Sequence, residues 1–267
     1  MPDANPANVR ALVLAGRRTP DERNPGGASR PKALEPVGGV AMLERVVGAL
    51  EATGRFASIA VCSDDASLLR ATPGLAAAAD RGVLRFAPSG ASPAASVAAF
   101  LAAEGAAGPV LATAADHALL EPEWVVHFLD AATATGADAV VAVVESSIFR
   151  RAFPDARRTF VALRGDAVSG ANLFLFRTAR GADVARFWVR AESFRKRPWR
   201  MVAVFGPVAL ARFALRRLDL EGALAVASRA MGARVAAVRM PFAESAIDVD
   251  TPDDLALANR LVSERGR

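Results

Sequence analysis

Short apolar runs alternate along the chain with segments in which apolar residues recur at helical spacing. The first run, Val9–Leu14, predicts a buried strand that leads into a polar loop containing glycines and prolines. The same criteria predict further strands over residues 58–62, 83–86, 109–114, 137–144, 234–239 and 246–249. They predict helices over residues 41–50, 66–70, 93–104, 121–133 and 252–262, with further helical segments between 182 and 230. Strands that alternate with helices are typical of βα units, whose strands form a parallel sheet.

Residues 159–177 depart from this alternation. Two apolar segments, 159–163 and 168–177, are separated by Gly165 and Asp166, which is typical of an antiparallel hairpin. The chain has neither an internal repeat nor a linker-like segment. The pattern therefore predicts an α/β fold of the Rossmann-like, three-layer α/β/α type, with a mostly parallel central sheet and one antiparallel hairpin. We expect a single domain over residues 1–267.

The composition favours a folded enzyme and excludes several other classes of protein. Hydrophobic residues make up 52% of the chain and charged residues 23%, which favours a large core and argues against disorder. The single cysteine, Cys62, excludes an intramolecular disulfide and a multi-cysteine metal site. Residues 1–8 lack the apolar stretch of a signal peptide, and no apolar run reaches the length of about 18 residues that spans a membrane. We therefore expect a cytoplasmic enzyme.

The chain is basic, with a formal net charge of +5 and a pI of about 10.7. Positive charge attracts nucleic acid, anionic membranes and phosphorylated metabolites alike. The basic residues lie in local clusters, which suit small phosphate ligands at least as well as a nucleic-acid duplex. These clusters are residues 17–32, 150–158, 190–200 and 212–217. No recognised nucleic-acid-binding module occurs in the sequence, so we do not expect nucleic acid as a partner.

The loop after the first predicted strand has features of a phosphate-binding segment. It should lie at the carboxyl edge of the sheet, where open α/β folds bind ligands, and Gly16 permits close approach of its backbone. Arg17, Arg18, Arg30 and Lys32 supply cationic donors for a triphosphate. Taken alone, this composition fits a solvated surface loop equally well.

An acidic residue, Asp116, follows the strand predicted over residues 109–114. A carboxylate just beyond a buried strand is a fixed oxygen ligand of the kind that Mg²⁺ prefers. The alternative is that Asp116 caps the helix that begins near Glu121, but Asp116 lies too far upstream for that role. We expect His117 to be a neighbour of the site rather than a catalytic base.

A second acidic segment precedes the last predicted helix. Asp248 and Asp250 flank Val249, and Thr251 followed by Pro252 is a favourable helix start. Helix capping explains the residues from Thr251 onwards. It does not explain Asp248, an acid at the end of an apolar segment.

These three segments, in this order, resemble the motifs of the MobA-like NTP transferases, which are nucleotidyltransferases with a GT-A-like fold. The family's motifs read L-A-G-G-x-G-x-R…P-K-x-L…G-x-P-M-L, then T-A-D-x-P-L-L, then D-I-D-T-P-x-D-L. The residues that match the first motif are Leu14-Ala15-Gly16, Arg18, Pro31-Lys32-Ala33-Leu34, Gly39 and Met42-Leu43. Residues 111–120 and 246–255 resemble the other two. Arg17 occupies the usual second glycine position, and the third glycine is missing from its expected place.

The resemblance implies a Mg²⁺-dependent enzyme that transfers a nucleoside monophosphate from an NTP to a small phosphorylated acceptor and releases pyrophosphate. It implies an NTP-binding half, residues 1–145, and an acceptor-binding half, residues 146–267, which contains the predicted hairpin. CTP or GTP is the expected nucleotide. The expected acceptor is a cofactor precursor or a lipid-head-group phosphate.

The resemblance also implies roles for individual residues. Lys32 and Arg18 are the predicted catalytic residues, because they offset negative charge that develops on the phosphates. Asp116 and Asp248 are the predicted Mg²⁺ ligands, with Asp250 as the alternative to Asp248. The predicted nucleotide-binding residues are Leu14, Ala15, Gly16, Arg17, Ser92, Ser96 and Asp116.

Two residues are candidates for acceptor binding. Asn172 lies in an apolar segment, where an amide without a partner is costly, and the resemblance points to the same strand. Residues 190–200 match no motif of the family. We expect one cation among residues 195–197 to bind the acceptor, with Lys196 as the candidate, and the nearby tryptophans to belong to the core. Ser92, before Pro93, fits a helix N-cap as well as a nucleotide contact.

Two rival functions fit the same fold. A glycosyltransferase should show an Asp-x-Asp pair at a strand end in mid-chain, and the single Asp116 argues against it. A non-catalytic nucleotide-binding protein is consistent with the altered glycine loop. The presence of Lys32, Asp116 and Asp248 together argues against that second rival.

Overall fold

The computed structural model describes residues 9–16, 31–64, 66–104, 108–192 and 204–266. Its strands are β1 (Val9–Leu14), β2 (Pro36–Val37), β3 (Val40–Ala41), β4 (Phe56–Ser63), β5 (Leu84–Pro88), β6 (Val110–Ala114), β7 (Ala139–Glu145), β8 (Val168–Phe176) and β9 (Val235–Arg239). Its α-helices are α1 (Met42–Ala52), α2 (Ala66–Arg70), α3 (Pro73–Asp80), α4 (Pro93–Glu104), α5 (Pro122–Ala134), α6 (Ser146–Ala152), α7 (Gly181–Glu192), α8 (Pro207–Ala214), α9 (Leu220–Met231) and α10 (Pro252–Arg265). Short 3-10 helices occur at Lys32–Leu34 and Ala243–Ala246. Within these ranges, no helix has the length and apolar character needed to cross a bilayer.

Seven strands form one sheet in the order β5-β4-β1-β6-β8-β7-β9. Six of them run in the same direction, and β8 runs antiparallel to both of its neighbours, β6 and β7. The carboxyl ends of the six parallel strands therefore meet at one edge of the sheet, together with the first residues of β8. The mostly parallel α/β fold predicted from the alternation of elements is confirmed.

Helices cover both faces of the sheet, because successive side chains of each strand point into different cores. Ala11 and Val13 of β1 pack with residues of α1, α3, α5 and α10. Leu12, between them, packs on the other face with residues of α4 and α7. This is the three-layer arrangement that the sequence predicts.

The predicted hairpin over residues 159–177 is only partly correct. Its second segment is β8, but its first segment contributes one isolated antiparallel bridge, between Val161 and Val168. β8 pairs with β7 on one side, and on the other side β6 pairs with its residues 174–176 only, so the bridge at Val161 adds a single contact at the opposite end of β8. The antiparallel element of the sheet is therefore β8 itself, inserted between parallel strands.

The predicted strand over residues 246–249 is wrong. Residues Ala243–Ala246 form a 3-10 helix, and the chain from Ile247 to Val249 runs on without joining the sheet. The segment is apolar because the side chains of Ile247 and Val249 are buried in the core. The pattern also does not predict α3, which is rich in alanine, or α6, which has only seven residues.

Asp166 holds the start of α6 in place. One carboxylate oxygen accepts hydrogen bonds from the Ser146 hydroxyl (2.5 Å) and the Ala167 N–H (2.7 Å). The other accepts from the hydroxyl (2.6 Å) and the N–H (3.2 Å) of Ser147. Desolvation favours the neutral acid, but the hydrogen bonds from Ser146, Ser147 and Ala167 outweigh it and lower the pKa of Asp166 from 3.8 to about 2. The charged carboxylate is thus the form that stabilises the fold.

We expect Asp166→Ala to lower the free energy of unfolding by about 1–3 kcal/mol at pH 7, because it removes the acceptor of several hydrogen bonds. The folded pKa lies below the ordinary value of 3.8, so the electrostatic part of this stabilisation is present above that pH and is lost as the pH falls through about 2. Urea unfolding measures the effect, with Asp155→Ala at an exposed position as the control. Equal stability of the two variants would contradict the role of Asp166.

Candidate active site

The candidate site lies where the connections from β1 and β6 leave the carboxyl edge of the sheet. After β1 the next strand of the sheet along the chain is β4, on one side, and after β6 it is β7, on the other side, so this is the switch point at which open α/β folds have their ligand-binding crevice. The Ala15 N–H donates to the Cys62 carbonyl at 2.9 Å, and the Ala115 N–H donates to the Leu14 carbonyl at 2.9 Å. Gly16 is therefore the first residue of its loop beyond these sheet-like hydrogen bonds.

Lys32 reaches this crevice from a short, anchored turn. Ala33 and Leu34 of the 3-10 helix are buried, which fixes the backbone next to Lys32. The Lys32 Nζ donates to Asp116 Oδ2 at 2.8 Å and to Asp250 Oδ1 at 2.7 Å. Since both oxygens lie within 2.8 Å of one nitrogen, they cannot be farther apart than twice that distance. Residues from the beginning, middle and end of the chain thus meet at one charged group.

The ammonium group of Lys32 is both stabilised and accessible. Burial lowers the pKa of Lys32, but the attraction of Asp116 and Asp250 and their hydrogen bonds outweigh this effect, so the pKa rises above its ordinary value of 10.5. The Lys32 side chain is 47% exposed. A permanently charged ammonium therefore remains open to an anionic ligand.

The backbone holds the second acidic segment against the first. The Val249 N–H donates to the Asp116 carbonyl at 2.9 Å, which fixes the segment that carries Asp248 and Asp250 beside the end of β6. Thr251 caps α10 in a reciprocal capping box with Asp254, as the sequence predicts for this helix start. The N-cap of α5 is Glu121, so Asp116 has no capping role there.

Asp248 and Asp250 have different partners. Whereas Asp250 faces Lys32, Asp248 forms an ion pair with Arg158 and accepts a hydrogen bond from Asn172 Nδ2 at 3.2 Å. The Arg158 Nε also donates to the Ser169 hydroxyl at 3.2 Å. The structure thus brings Asp250 to the same cation as Asp116 and links Asp248 to Arg158 and Asn172.

An irregularity in β8 directs Asn172 towards Asp248. Between the pairs Val141↔Phe174 and Val143↔Gly170, a single residue of β7 faces the three residues 171–173 of β8. Asn172 lies within this bulge in the left-handed region, with φ at 49°. Asparagine tolerates that conformation better than most residues, and bulges commonly re-aim a side chain next to a site.

Ser92 and Ser96, which the family resemblance predicts as nucleotide-binding residues, form hydrogen bonds that hold the loop after β5. The Ser96 hydroxyl accepts from the Gly90 N–H at 2.9 Å and donates to the Ser92 carbonyl at 3.0 Å. The Ser92 hydroxyl accepts from the Ala95 N–H at 3.1 Å, which is an N-cap bond. A Cβ on Gly16 would lie 2.9 Å from the Ser89 hydroxyl, so the loops after β1 and β5 approach each other closely. Both serines therefore shape the loop, whatever else they contact.

His117 lies directly after Asp116 but is enclosed. Its side chain is fully buried, and desolvation lowers its pKa from 6.5 to about 4, against the opposing effects of Asp116 and the Ser245 backbone. Its ring lies 6.3 Å from that of Trp124, which stacks on Phe242 at 5.8 Å. The imidazole is therefore neutral at physiological pH and packed away from solvent.

Several predicted residues lie outside the described residues: Arg17, Arg18, Arg30 and Lys196, with the neighbours of Lys196 at 195 and 197. Trp188 packs edge-on against Phe174 at 5.0 Å, in agreement with the core position expected for it.

Sequence reasoning missed Arg158 and Ser89 as residues near the site. Arg158 belongs to a basic cluster that the sequence does reveal, but nothing in that cluster distinguishes it from the other arginines. Ser89 carries no such signal.

Known proteins share both the motif pattern and the fold. The family model of the MobA-like NTP transferase domain matches residues 11–171, more than half of the chain. A structure described as a hypothetical transferase from Thermus thermophilus is 29% identical, with a TM-score of 0.74 over 92% of this chain and 98% of that one. Two structures that are each 13% identical share the fold. They are 4-diphosphocytidyl-2C-methyl-D-erythritol synthase from Anaerococcus prevotii (TM-score 0.58, 97% of this chain and 100% of that one) and CMP:2-keto-3-deoxy-manno-octonic acid synthetase complexed with CTP (TM-score 0.57, 97% and 99%). Comparison with curated proteins gave no match.

We expect Gly90→Ala to lower the free energy of unfolding by about 1–3 kcal/mol, because a small-to-large change in a packed position forces the backbone to shift. A Cβ at Gly90 would lie 2.8 Å from backbone atoms of both Ala95 and Ser96. Gly48→Ala is the matched control, since Gly48 is exposed in α1 with no atom near the added methyl group. That variant should instead gain about 0.5–1 kcal/mol from helix propensity. Thermal and urea unfolding measure both changes, and an equal effect of the two substitutions would contradict the close approach at Gly90.

Proposed function

The chain belongs to the MobA-like NTP transferase family, and on that premise we propose that it transfers a nucleoside monophosphate from an NTP to a small phosphorylated acceptor. Pyrophosphate is the second product, and Mg²⁺ is the cofactor. One observation carries the proposal: the Lys32 ammonium lies between Asp116 and Asp250 in the crevice beyond β1 and β6. A cation held by carboxylates at a phosphate-binding edge suits a triphosphate and the charge that develops when it is cleaved.

Lys32 is the central catalytic residue of this proposal. Its raised pKa keeps the ammonium charged over the physiological range, and its half-exposed side chain can turn from the carboxylates to the phosphates. There it offsets negative charge on the α-phosphate and on the leaving pyrophosphate. Arg18 is proposed to assist Lys32 from the loop after β1. The proposed contacts to the nucleotide come from Leu14, Ala15, Gly16, Arg17, Ser92 and Ser96.

The reaction requires no general base. An oxygen of the acceptor phosphate attacks the α-phosphorus, the new phosphoanhydride bond forms, and the bond to the β-phosphate breaks with its electron pair leaving on pyrophosphate. The second pKa of a phosphate monoester is about 6, so the attacking group is already ionised near neutral pH. The burial of His117 is consistent with this chemistry, because nothing needs to accept a proton.

The acidic residues of the crevice suit Mg²⁺. Asp116 and Asp250 already share one cation, the Lys32 ammonium, and hard carboxylate oxygens are the ligands that Mg²⁺ prefers. Among the described residues no cluster of three or more protein ligands occurs, so water and substrate phosphates would have to complete the coordination of an ion held by one or two carboxylates. When bound, Mg²⁺ supplies positive charge to the reacting phosphates. Asp116 is the proposed first ligand, and Asp248 or Asp250 the second.

The acceptor is proposed to bind on the side of β8. Asn172 and Arg158 meet at Asp248 there, and Lys196 is the further candidate from the sequence. The continuous sheet supports one catalytic unit over residues 1–267, with NTP bound by residues 1–145 and the acceptor by residues 146–267. CTP is the first nucleotide to test and GTP the second, because two proteins with this fold are a diphosphocytidyl synthase and a synthetase complexed with CTP.

A pyrophosphate-release screen tests the proposed function. The four NTPs are offered with Mg²⁺ against a panel of phosphorylated acceptors, including cofactor precursors and water-soluble lipid-head-group phosphates. Thermal-shift ranking of the NTPs precedes it. Acceptor-dependent release with one nucleotide supports the proposal. Nucleotide binding without release under any combination would favour a non-catalytic nucleotide-binding protein.

We expect Lys32→Ala and Asp116→Asn each to reduce pyrophosphate release on the order of 100- to 1,000-fold, as for the loss of one charge-stabilising group. Because the Lys32 ion pairs are partly exposed, the free energy of unfolding should change by only about 1 kcal/mol or less. Asp253→Asn is the control, since it removes the same charge from an exposed position in the first turn of α10. Near-normal turnover of both site variants would refute the assignment.

A second pair of variants decides between the two candidates for the second Mg²⁺ ligand. The shared contact with Lys32 favours Asp250, so Asp250→Asn should raise the Mg²⁺ concentration for half-maximal activity on the order of tenfold or more. Asp248→Asn should act mainly on the KM for the acceptor, through Arg158 and Asn172. Titrations of Mg²⁺ and of acceptor on both variants measure this. If Asp248→Asn raises the Mg²⁺ requirement and Asp250→Asn raises the KM for the acceptor, Asp248 is the second Mg²⁺ ligand, as the sequence motif implies.

A further inference from the structure

Helix α8 and the turn after it expose apolar side chains. No residue of Pro207–Ala214 is buried, and Val208, Leu215 and Phe213 are 71%, 65% and 42% exposed. Val208 and Leu215 are seven positions apart, so they lie on the same side of the helix and its last turn. An amphipathic helix normally turns its apolar residues towards the core. Here large apolar side chains point into solvent instead.

This exposure belongs to a helix that is held at both ends. Before it, the ring of Phe205 packs edge-on against that of Phe187 at 5.9 Å. After it, Leu218 is buried, and its carbonyl accepts a hydrogen bond from the Arg164 N–H at 2.9 Å. The fold therefore presents α8 at a fixed place on the surface.

The same surface is strongly cationic. Arg212, Arg216 and Arg217 are exposed and form no ion pair with any described residue. Residues 193–218 contain seven Lys and Arg residues and no Asp or Glu. The whole chain has 33 basic and 28 acidic residues, so acidic residues outnumber basic ones outside this segment. The positive net charge of the protein is thus concentrated, along the sequence, in the segment that contains α8 and the turn after it.

We propose that the surface formed by Val208, Arg212, Leu215, Arg216 and Arg217 docks on an anionic lipid bilayer. The side chains of Val208 and Leu215 enter the boundary between head groups and acyl chains, and the three arginines bind lipid phosphates. A nucleic acid would also attract the arginines, but the aliphatic Val208 and Leu215 offer no stacking surface for bases. The proposal goes beyond nucleotidyl transfer and does not rest on it, because none of these residues belongs to the crevice.

Vesicle co-sedimentation of the full chain, without nucleotide or Mg²⁺, tests the proposal. Vesicles of phosphatidylglycerol mixed equally with phosphatidylcholine should carry the protein down, whereas phosphatidylcholine alone should not. Binding should weaken as the salt concentration rises, since exposed charges are screened. The assay is independent of activity, so its failure and the failure of the proposed function are distinguishable.

Two double variants locate the surface. Arg212→Gln with Arg217→Gln should weaken vesicle binding on the order of 30-fold, from about 1 kcal/mol for each arginine near an anionic membrane. Val208→Ser with Leu215→Ser should weaken it on the order of tenfold or more through lost apolar burial. The control is Arg229→Gln with Arg260→Gln, which removes the same charge from exposed positions on α9 and α10. This control variant should bind vesicles as tightly as the unmodified chain does. Circular dichroism checks that each variant is folded.

Three outcomes would overturn the proposal. One is no sedimentation with anionic vesicles, and another is equal sedimentation with neutral ones. A third is an equal loss in the two double arginine variants, which would mean that overall charge, and not α8, governs binding. A further result would assign the surface to nucleic acid instead. This result is that a DNA duplex binds the protein more tightly than vesicles do, and that only the double variant of Arg212 and Arg217 loses DNA binding.

Discussion

The candidate site depends on one electrostatic constraint: Asp116 and Asp250 point at the same place, and a cation has to lie between them. In the free protein that cation is the Lys32 ammonium. An anionic ligand that draws Lys32 towards itself leaves two neighbouring carboxylates uncompensated, and they then bind another cation more strongly. Under the proposed function, binding of the triphosphate and binding of Mg²⁺ at this edge would therefore be coupled, and by linkage the coupling would act equally in both directions.

Backbone contacts, more than side chains, create this constraint. The hydrogen bond from Val249 to the Asp116 carbonyl holds the two acidic segments together. The buried residues after Lys32 and the capping box at Thr251 then fix where each segment turns. On the other side, the bulge in β8 makes Asn172 a fixed partner of Asp248. Lys32, Asp116 and Asp250 thus each lie next to the end of a strand or of a helix, whose position the fold has already fixed.

Much of this could be predicted from the sequence, because the relevant signals are local. Apolar runs identify most of the strands, Thr251 and Pro252 identify the start of α10, and the motifs around Lys32 and Asp116 identify residues that the structure brings together. Contacts between distant residues could not be predicted in this way. The pairing of Asp248 with Arg158, and the place of β8 between β6 and β7, depend on the register and order of the strands. The apolar pattern around Ile247 and Val249 wrongly predicts a strand, because these side chains are buried in the core although their backbone does not pair with the sheet.

The ion pair between Lys32 and Asp250 joins residues that are 218 positions apart in the chain. During synthesis on the ribosome, every described strand of the sheet has been made once residue 239 is complete, yet Lys32 still lacks one of its two carboxylate partners. The charge centre around Lys32 is therefore complete only once residue 250 has been added, after every described strand of the sheet.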